Sequence, residues 1–411
     1  MTKRDTVSLV QCSDYDLEKV RTAIRRSIEL LGGIGSFVKP GQRVLLKPNL
    51  LRPASQDRGV STHSTVVVAV AELVIEAGAH PVIVESHGGP YSPALLKLTY
   101  RKTGMLWAAE VSGVELNYNV ESVQVPHPGG NVLRRLDLVK PVVEADAVIN
   151  LPKLKTHNLT TLTVAVKNLF GLVPGMIKMS YHAKLQDARR FCEGLNDIAT
   201  YVKPVLNIVD AVVAMEGNGP SGGDKRQLGV IIAGADVFAV DVASAALVGF
   251  DPLSVLTTRM AVKRGLTTGR LEDLELVGDP FDSLRVSDFR PGTATAIDPG
   301  LLPRRLLALA GESDASAEAD DGQSQRRRGW FGRLAYGWFS RQLVVVPSAG
   351  DKCIGCGQCA KSCPVEAIEI VDGKAYMDTK KCIRCYCCHE LCPEEAVELH
   401  RPWFGRLVMG A

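Results

Sequence analysis

Apolar and polar positions alternate regularly from residue 6 to about residue 298. Short apolar runs, typical of buried strands, are separated by longer amphipathic segments, which are typical of helices packed on a sheet. The alternation predicts an α/β fold, in which a large, mainly parallel sheet is layered with helices.

The predicted elements follow one another as strand and helix units. Strands are predicted at 43–47, 81–85, 147–151, 205–209 and 229–233. Helices are predicted at 64–78, 93–103, 237–248 and 253–264, the first of them ended by Gly78. Ligands of open α/β sheets bind beyond the carboxyl ends of the strands, because loops and helix N-termini converge there. We therefore expect the functional residues in the segments that follow the strands.

Length and composition restrict the class of protein. A chain of 411 residues exceeds what one core usually organises, so at least two domains are expected. The net charge of +3 is too balanced to predict nucleic-acid binding. No apolar run is long enough to predict a membrane-spanning helix, and the polar start of the chain does not resemble a secretory signal. A reducing, cytoplasmic location is expected.

Eight of the 11 cysteines form two copies of one motif near the end of the chain. Each copy has the spacing C-x2-C-x2-C-x3-C-P, which is the bacterial ferredoxin pattern for a pair of [4Fe-4S] clusters. Three thiolates on one tight loop can reach three irons of one cube, while the fourth serves the other cluster. The predicted ligands are Cys353, Cys356, Cys359 and Cys392 for the first cluster, and Cys382, Cys385, Cys388 and Cys363 for the second.

Structural zinc sites or disulfides are the alternatives for these cysteines. Zinc sites favour two C-x-x-C pairs at four corners, and disulfides need no such repeat, so the spacing favours two [4Fe-4S] clusters. The motif region resembles a two-cluster ferredoxin, which predicts a small α+β electron-transfer domain. Cys12, Cys192 and Cys387 have no evident role.

The composition also predicts the domain organisation. We expect an α/β substrate domain at 1–300, a linker with acidic, basic and aromatic segments at 301–347, the ferredoxin domain at 348–400, and an aromatic, basic tail at 401–411. The pentapeptide Trp-Phe-Gly-Arg-Leu occurs at 330–334 and again at 403–407. The basic aromatic segment 329–343 could make weak contact with a membrane surface, or its aromatic side chains could pack against either domain.

The stretch 147–186 contains no Asp or Glu. It contains five lysines and two histidines, which are Lys153, Lys155, Lys167, Lys178, Lys184, His157 and His182. Uncompensated positive charge in a cleft attracts carboxylates or phosphates, lysines bind them as point charges, and a histidine can donate a proton near neutral pH. The stretch therefore predicts a site for a small anion, although a solvated basic face or a satisfied structural side chain is the simpler alternative for any one lysine.

Four segments resemble a known family. Lys47-Pro48-Asn49, 150–157, 165–171 and 210–220 are similar to the domain of unknown function 362 (DUF362), often joined to a ferredoxin module. The resemblance covers about residues 7–265 and implies a redox enzyme or iron-sulfur protein acting on a small molecule, without fixing the reaction. The site candidates it implies are Lys47, Asn49, Lys153, Lys155, His157, Lys167, Asn168 and His182. His63 matches a Thr-His-Pro run of the family only in part, because Ser64 replaces the proline.

A glycine-rich segment follows the strand predicted at 205–209. Gly217-x-Gly219-x-x-Gly222 has the spacing of a dinucleotide fingerprint, but Pro220 lies within it and a strand follows, so NAD or FAD binding is not expected. The loop could still present amides to an anion or close over a substrate. Glu216 is a candidate substrate-binding residue. With Asp210 it could act as acid or base, or bind a divalent ion together with Asp241, although a cap or surface salt bridge is the commoner role.

These patterns predict an iron-sulfur oxidoreductase that reduces a small anionic, conjugated organic substrate. Electrons would come from an external ferredoxin or flavodoxin, and Lys155, His157 or His182 would handle protons. The main alternative is a non-catalytic electron-transfer or maturation protein whose large domain docks a partner. A third hypothesis is an isomerase or transferase whose clusters act as sensors.

Overall fold

The computed structural model describes residues 5–294 and 345–402. The aromatic segment 329–343, most of the predicted linker and both copies of the repeated pentapeptide lie outside the described residues. Among those that are described, no helix combines the length and apolarity needed to cross a membrane.

Residues 5–294 form the large domain. Its strands are β1 (Thr6–Gln11), β2 (Arg43–Pro48), β3 (His80–Ile83), β4 (Glu115–Leu116), β5 (Ser122–Pro126), β6 (Arg135–Val139), β7 (Ala147–Leu151), β8 (Lys153–His157), β9 (Thr161–Thr163), β10 (Leu206–Glu216), β11 (Asp224–Gly234) and β12 (Glu275–Gly278). Its helices are α1 (Leu17–Glu29), α2 (Ser64–Glu76), α3 (Pro93–Lys102), α4 (Met105–Ser112), α5 (Lys140–Glu144), α6 (Ala165–Asn168), α7 (Gly175–Lys184), α8 (Ala188–Val202), α9 (Val237–Leu247), α10 (Leu256–Lys263) and α11 (Phe281–Leu284).

Ten of these strands form one sheet in the described part of the chain. The order is β12-β1-β11-β10-β7-β2-β3-β4, with β8 beside β10 and β9 beside β8. Strands β10, β7, β2, β3 and β4 run parallel, whereas β11 is antiparallel to both of its neighbours. The predicted α/β fold with a mainly parallel sheet is confirmed.

Side chains alternate across the sheet and reach two cores. Val44 and Leu46 of β2 belong to the core that contains α1 and α2, while Leu45 belongs to the core that contains α8 and α9. Alternation of this kind follows from the two-residue period of a strand. Because both faces are covered, the polar groups available to a ligand lie at the ends of the strands.

Two parts of the predicted pattern differ in the structure. Strands β10 and β11 are longer than the apolar runs at 205–209 and 229–233, because they continue as a paired ribbon beyond the sheet core. The run 153–157, expected as an edge segment after a strand, is itself the buried strand β8. A buried backbone needs hydrogen-bond partners, which β10 and β9 provide.

Residues 345–402 form the predicted small α+β domain. Its elements are β13 (Val346–Ala349), α12 (Gln358–Lys361), β14 (Ile368–Val371), β15 (Lys374–Met377), α13 (Cys387–Leu391) and β16 (Val397–His400). The two cysteine motifs share their backbone turns. Gly355 and Gly357 have positive φ in the first motif, and so do Arg384 and Tyr386 at the equivalent positions of the second. The duplicated spacing therefore folds as a duplicated pair of loops.

Candidate functional site

The small domain packs on the segments of the large domain that follow β2, β3 and β10. Arg52 Nη2 and Arg58 Nη1 lie 2.9 and 2.6 Å from Glu395 Oε1. The glycine-rich loop also contacts α13, because the Ser221 hydroxyl donates to the carbonyl of His389 at 3.3 Å and His389 Nε2 lies 3.1 Å from the Asn218 carbonyl. This loop therefore helps to dock the small domain.

A cavity of about 60 Å³ lies between the two domains. Six of the candidates predicted from sequence line this cavity, and they are Asn49, Lys155, His157, Lys167, Asn168 and His182. The large domain provides these residues from the end of β2, from β8, from α6 and from α7. Helix α13 of the small domain supplies the facing wall with Cys387, Glu390 and Leu391.

Three predicted candidates do not line this cavity. Lys47 Nζ lies 2.7 Å from Glu85 Oε2, and Lys153 Nζ lies 2.8 Å from Asp210 Oδ2. Both lysines are buried, which lowers their pKa values, while the paired carboxylates oppose that shift. Glu216 accepts a hydrogen bond from Arg290 Nε at 2.8 Å. The charges of these three residues are already compensated within the protein.

The carboxylates suggested for a divalent ion are engaged separately. Asp241 accepts the backbone N–H of Ala165 at 2.7 Å and so caps α6, while burial raises its pKa to about 7. Tyr15 donates to Asp210 Oδ1 at 2.7 Å. Across residues 5–294 and 345–402, no three His, Cys, Asp or Glu side chains are grouped to hold a single metal ion.

Buried amides join the strand ends behind the cavity. Asn49 Nδ2 donates to Asn168 Oδ1 at 3.0 Å, and Asn168 Nδ2 donates to Asn150 Oδ1 at 2.8 Å. Asn150 in turn donates to Asn207 Oδ1 at 2.9 Å. Because each amide uses one end to accept and the other to donate, the network fixes their orientations. It therefore positions Asn49 and Asn168 at the cavity wall.

Three lysines of the cavity have no carboxylate within ion-pair distance among the described residues. Lys155 Nζ donates to Asn49 Oδ1 at 2.9 Å and to the Val60 carbonyl at 2.7 Å. Lys178 Nζ donates to the Ser86 carbonyl and, at 3.1 Å, to the Ser86 hydroxyl. Lys167 Nζ lies over the ring of Phe170, 5.2 Å from its centroid. These three lysines therefore have no direct carboxylate partner, although the carboxylates of Glu85 and Glu390 also line the cavity.

Burial gives two of these lysines unusual acidity. It lowers the pKa of Lys178 from 10.5 to about 7, with nearby Lys47 acting in the same direction and Glu85 opposing. It also lowers the pKa of Lys155 well below its usual value. A lysine whose pKa is close to 7 can both hold and release a proton under neutral conditions. Lys178 has that property and faces the cavity.

His157 is fixed in one tautomer by the backbone. Its Nδ1 accepts the N–H groups of Leu159 and Thr160 at 3.0 and 3.3 Å, so the ring proton is on Nε2. Nε2 lies 3.0 Å from Glu390 Oε1, but the two atoms are not aligned for a hydrogen bond. Burial lowers the pKa of His157. The ring is therefore a neutral N–H donor at the cavity.

The other histidines of the cavity are also neutral. His182 stacks on Phe191 with ring centroids 4.3 Å apart, and burial lowers its pKa to about 3. His87 Nε2 lies 3.1 Å from the Pro90 carbonyl, and burial lowers its pKa to about 4. Neither ring carries a proton to donate as an acid at neutral pH, which leaves the lysines as the acidic groups.

Sequence reasoning missed several cavity residues. Lys178 belongs to the acid-free stretch, but the sequence does not single it out as a site residue. The lining residues 85–88 lie in the loop after β3. The rule that ligands bind after strand ends could have identified that loop. Glu390 and Cys387 had no sequence signal, because their position depends on how the small domain docks.

The cysteine arrangement fits two iron-sulfur clusters. A second cavity of about 20 Å³ is lined by all four ligands predicted for the second cluster, Cys363, Cys382, Cys385 and Cys388. Backbone N–H groups donate to cysteine sulfurs in both motifs, for example Ala367 to Cys363 at 3.2 Å and Ala396 to Cys392 at 3.3 Å. Such donors are a usual feature of iron-sulfur sites and tune their potentials. Cys387 lines both cavities, so the second cluster site lies directly behind the wall of the first cavity.

Comparisons with known proteins agree with both halves of the chain. Residues 44–246 match the domain of unknown function DUF362, and residues 347–393 match the 4Fe-4S dicluster domain. A thylakoid-associated protein of Synechocystis sp. is 39% identical over 265 residues, which cover 64% of this chain and 80% of that protein. Ferredoxin-2 of Desulfomicrobium norvegicum is 59% identical over 32 residues, covering 8% of this chain and 51% of the ferredoxin.

One solved structure shows a distant likeness. The lactate racemase apoprotein from Thermoanaerobacterium thermosaccharolyticum has a TM-score of 0.36 and 14% identity, covering 55% of this chain and 54% of that chain. That likeness is too low to inform function. The family matches and the paired cysteine motifs confirm two [4Fe-4S] clusters and a role in iron-sulfur electron transfer. The chain belongs to the DUF362 family and carries a C-terminal two-cluster ferredoxin domain.

Proposed function

We propose that the protein is an iron-sulfur reductase acting on a small, anionic, conjugated organic molecule in the cavity between its domains. One observation carries this proposal. The cavity combines lysines that lack carboxylate partners with a wall, α13, that also contains the cluster ligand Cys388. The clusters supply single electrons when bound. An external ferredoxin or flavodoxin is the proposed source of those electrons.

Substrate binding is assigned to the charged and apolar sides of the cavity. Lys167 Nζ lies over the rings of Phe170 and Phe191 and makes no hydrogen bond or ion pair within the described residues, although its charge helps to lower the pKa of Glu390. Its ammonium group is assigned to a carboxylate or phosphate of the substrate. Leu51, Met179 and Leu391 would contact the hydrocarbon part. A volume of about 60 Å³ restricts the substrate to a few non-hydrogen atoms unless the domains separate.

Proton delivery is assigned to Lys178. Reduction of a conjugated double bond adds two electrons and two protons, and the ammonium group of Lys178 would donate one proton, the other coming from solvent. Its pKa of about 7 matches a general acid at neutral pH. The N–H of His157 and the Nζ of Lys155 would donate hydrogen bonds to the negative charge that develops on the substrate.

The alternative is an electron-transfer or maturation protein without a substrate of its own. The Synechocystis relative is named for association with thylakoids, which is compatible with peripheral contact between such a protein and a membrane. A cytoplasmic location, with weak contact between residues 329–343 and a membrane surface, remains a prediction from the sequence. The two functions differ in whether a small molecule can accept electrons from the reduced protein.

Reoxidation of the reduced protein tests the proposal. The clusters are reduced with dithionite, excess reductant is removed without oxygen, and small conjugated acids are added beside their neutral amides. We expect the absorbance of the oxidised clusters to return with an acid and not with its amide. Lys167→Gln should slow the return about 10- to 100-fold, as expected for a lost charge-assisted contact. Lys184→Gln, a change at an exposed lysine of α7, should leave it unaltered.

Two results would contradict the proposal. If no acid reoxidises the protein, the non-catalytic alternative gains support. If acids and amides react equally and Lys167→Gln behaves as wild type, then the cavity lysines do not select the substrate.

A further inference from the structure

Glu390 has a buried carboxylate oxygen without a hydrogen-bond partner in the part of the chain that the structure describes. The residue lies on α13, is 7% exposed and lines the cavity between the domains, and the oxygen concerned is Oε1. The other carboxylate of the cavity, that of Glu85, contacts Lys47 and accepts the backbone N–H of Leu50. A buried carboxylate is costly unless its oxygens accept hydrogen bonds, so Glu390 is suited to accept one from a bound molecule.

The ring of His157 provides the complementary group. Its Nε2 is also buried without a hydrogen-bond partner among residues 5–294 and 345–402, although it lies 3.0 Å from Glu390 Oε1. Because Nδ1 of the same ring accepts two backbone N–H groups, the ring cannot turn toward the carboxylate without losing those bonds. Strand β8 and helix α13 therefore place an unused donor beside an unused acceptor, both of them at the cavity.

We propose that the substrate carries a hydroxyl group in addition to its anionic group, and that Glu390 and His157 recognise this hydroxyl. The inference rests on the proposed function, from which it takes the cavity as the substrate site. A hydroxyl oxygen accepts and its proton is donated, so one hydroxyl about 2.8 Å from both atoms serves both residues. The N–H of His157 then contacts an oxygen of the substrate, as its proposed role in stabilising negative charge requires.

The charges of the cavity favour a hydroxyl over other groups at this position. Lys155, Lys167 and Lys178 also line the cavity, so the ammonium group of an amino acid would add positive charge where three lysines lack carboxylate partners. A carbonyl or ether oxygen has no proton and would face the carboxylate of Glu390 without a hydrogen bond. The site therefore selects small hydroxy acids against the corresponding amino, keto and ether acids.

Calorimetric titration of the oxidised, cluster-loaded protein with small acids tests this selectivity. Glycolate combines a carboxylate and a hydroxyl in a molecule small enough for the cavity. Fluoroacetate has the same charge and nearly the same shape, but a fluorine without a proton replaces the hydroxyl. We expect glycolate to bind at least about 10-fold more tightly than fluoroacetate, the usual contribution of a hydrogen bond to a charged group. Glycine, with an ammonium group at that position, should bind more weakly than glycolate.

The variant Glu390→Gln assigns the preference to this residue. It keeps the size of the side chain and replaces a charged acceptor with a neutral one. The ratio of the glycolate and fluoroacetate affinities should fall at least about 3-fold, because a neutral hydrogen bond is about half as strong as a charged one. Glu369→Gln, at an exposed glutamate of β14 in the same domain, should keep the wild-type ratio.

The electron paramagnetic resonance signals of both clusters show whether α13 remains intact in the variant. If Glu390→Gln disturbs the clusters, Glu390→Asp is the second variant. It keeps the charge but withdraws the carboxylate by one methylene group, and it should also lower the ratio.

Three results would overturn the assignment. Equal affinities of the wild-type protein for glycolate and fluoroacetate would mean that only water bridges Glu390 and His157. An unchanged ratio in Glu390→Gln would place the acceptor elsewhere, and tighter binding of glycine would indicate an amino acid. No electron is transferred in these titrations. A preference for glycolate without reoxidation of the clusters by any acid would therefore refute the reductase and keep this assignment, whereas reoxidation with equal affinities would do the reverse.

Discussion

Two groups of lysines are buried in the large domain, and they differ in what they face. Lys47 and Lys153 each lie within 3 Å of a buried carboxylate, whereas Lys155 and Lys178 donate only to neutral oxygens. A buried charge is costly unless it is paired, so the first group is compensated inside the fold. For the second group the energetic cost of burying a charge is not offset by a carboxylate. Ionisable side chains whose pKa values are perturbed in this way concentrate at functional sites. The comparison separates structural lysines from candidate site lysines better than the acid-free stretch does, because that stretch contains Lys153 as well as Lys155 and Lys178.

The largest expected effect comes from breaking a compensated pair. Lys153→Met leaves Asp210 buried without its cation, which should lower the free energy of unfolding by about 3–5 kcal/mol. Urea unfolding measures this loss. The exposed Lys102→Met is the control and should change stability by less than about 0.5 kcal/mol. If Lys153→Met is as stable as the control, then the paired lysines are not structural.

The next effect concerns the unpaired Lys178. Under the proposed function, Lys178→Met should lower kcat for the reduced substrate about 10²- to 10⁴-fold, the usual contribution of a general acid. The substitution should not destabilise the protein at pH 7, because it removes a buried amino group that has no carboxylate partner. Lys184→Met on the same helix is the control for both measurements. A large loss of stability with unchanged kcat would assign Lys178 to the structural group.

The pH dependence of the wild-type protein sharpens this prediction. The pKa of Lys178 is about 7 in the folded protein and 10.5 in the unfolded chain. Between these values the unfolded chain binds more protons, so the contribution of Lys178 to stability rises with pH from about 7 to about 10.5. Catalysis should change in the opposite direction, since kcat falls above pH 7 as the ammonium is lost. Lys178→Met should remove the stability slope, which chemical unfolding at several pH values measures.

The smallest effects are expected where the two domains meet. Arg58 is 50% exposed and Arg52 is 9% exposed, although both contact Glu395. Arg58→Ala should weaken docking by less than about 1 kcal/mol, whereas Arg52→Ala should cost about 1–3 kcal/mol because its partner loses a buried charge-assisted bond. Hydrogen exchange of residues 387–391 reports the docking. Equal effects of the two changes would show that burial does not decide the strength of this contact.

Local patterns made most of the fold predictable. The strand 147–151 and the start of the helix at Ser64 agree with the apolar periodicity, because one face or both faces of those elements are buried. The cluster ligands were equally predictable from the sequence, since the motif spacing itself shapes the loops that hold the thiolates. The ribbon β10–β11 extends further than its apolar runs, since pairing between the two strands supports polar residues that periodicity alone assigns to loops.

The sequence by itself determined the α/β fold, the two clusters and the acid-free stretch from which much of the cavity is built. Only the tertiary structure decided which lysines are paired, because Glu85 and Asp210 reach Lys47 and Lys153 across 38 and 57 residues of chain. It also decided that α13 of the small domain closes the cavity with Glu390 and Leu391. Spacing and periodicity act over a few residues, whereas compensation of charge and closure of a cavity depend on contacts that form when distant segments pack.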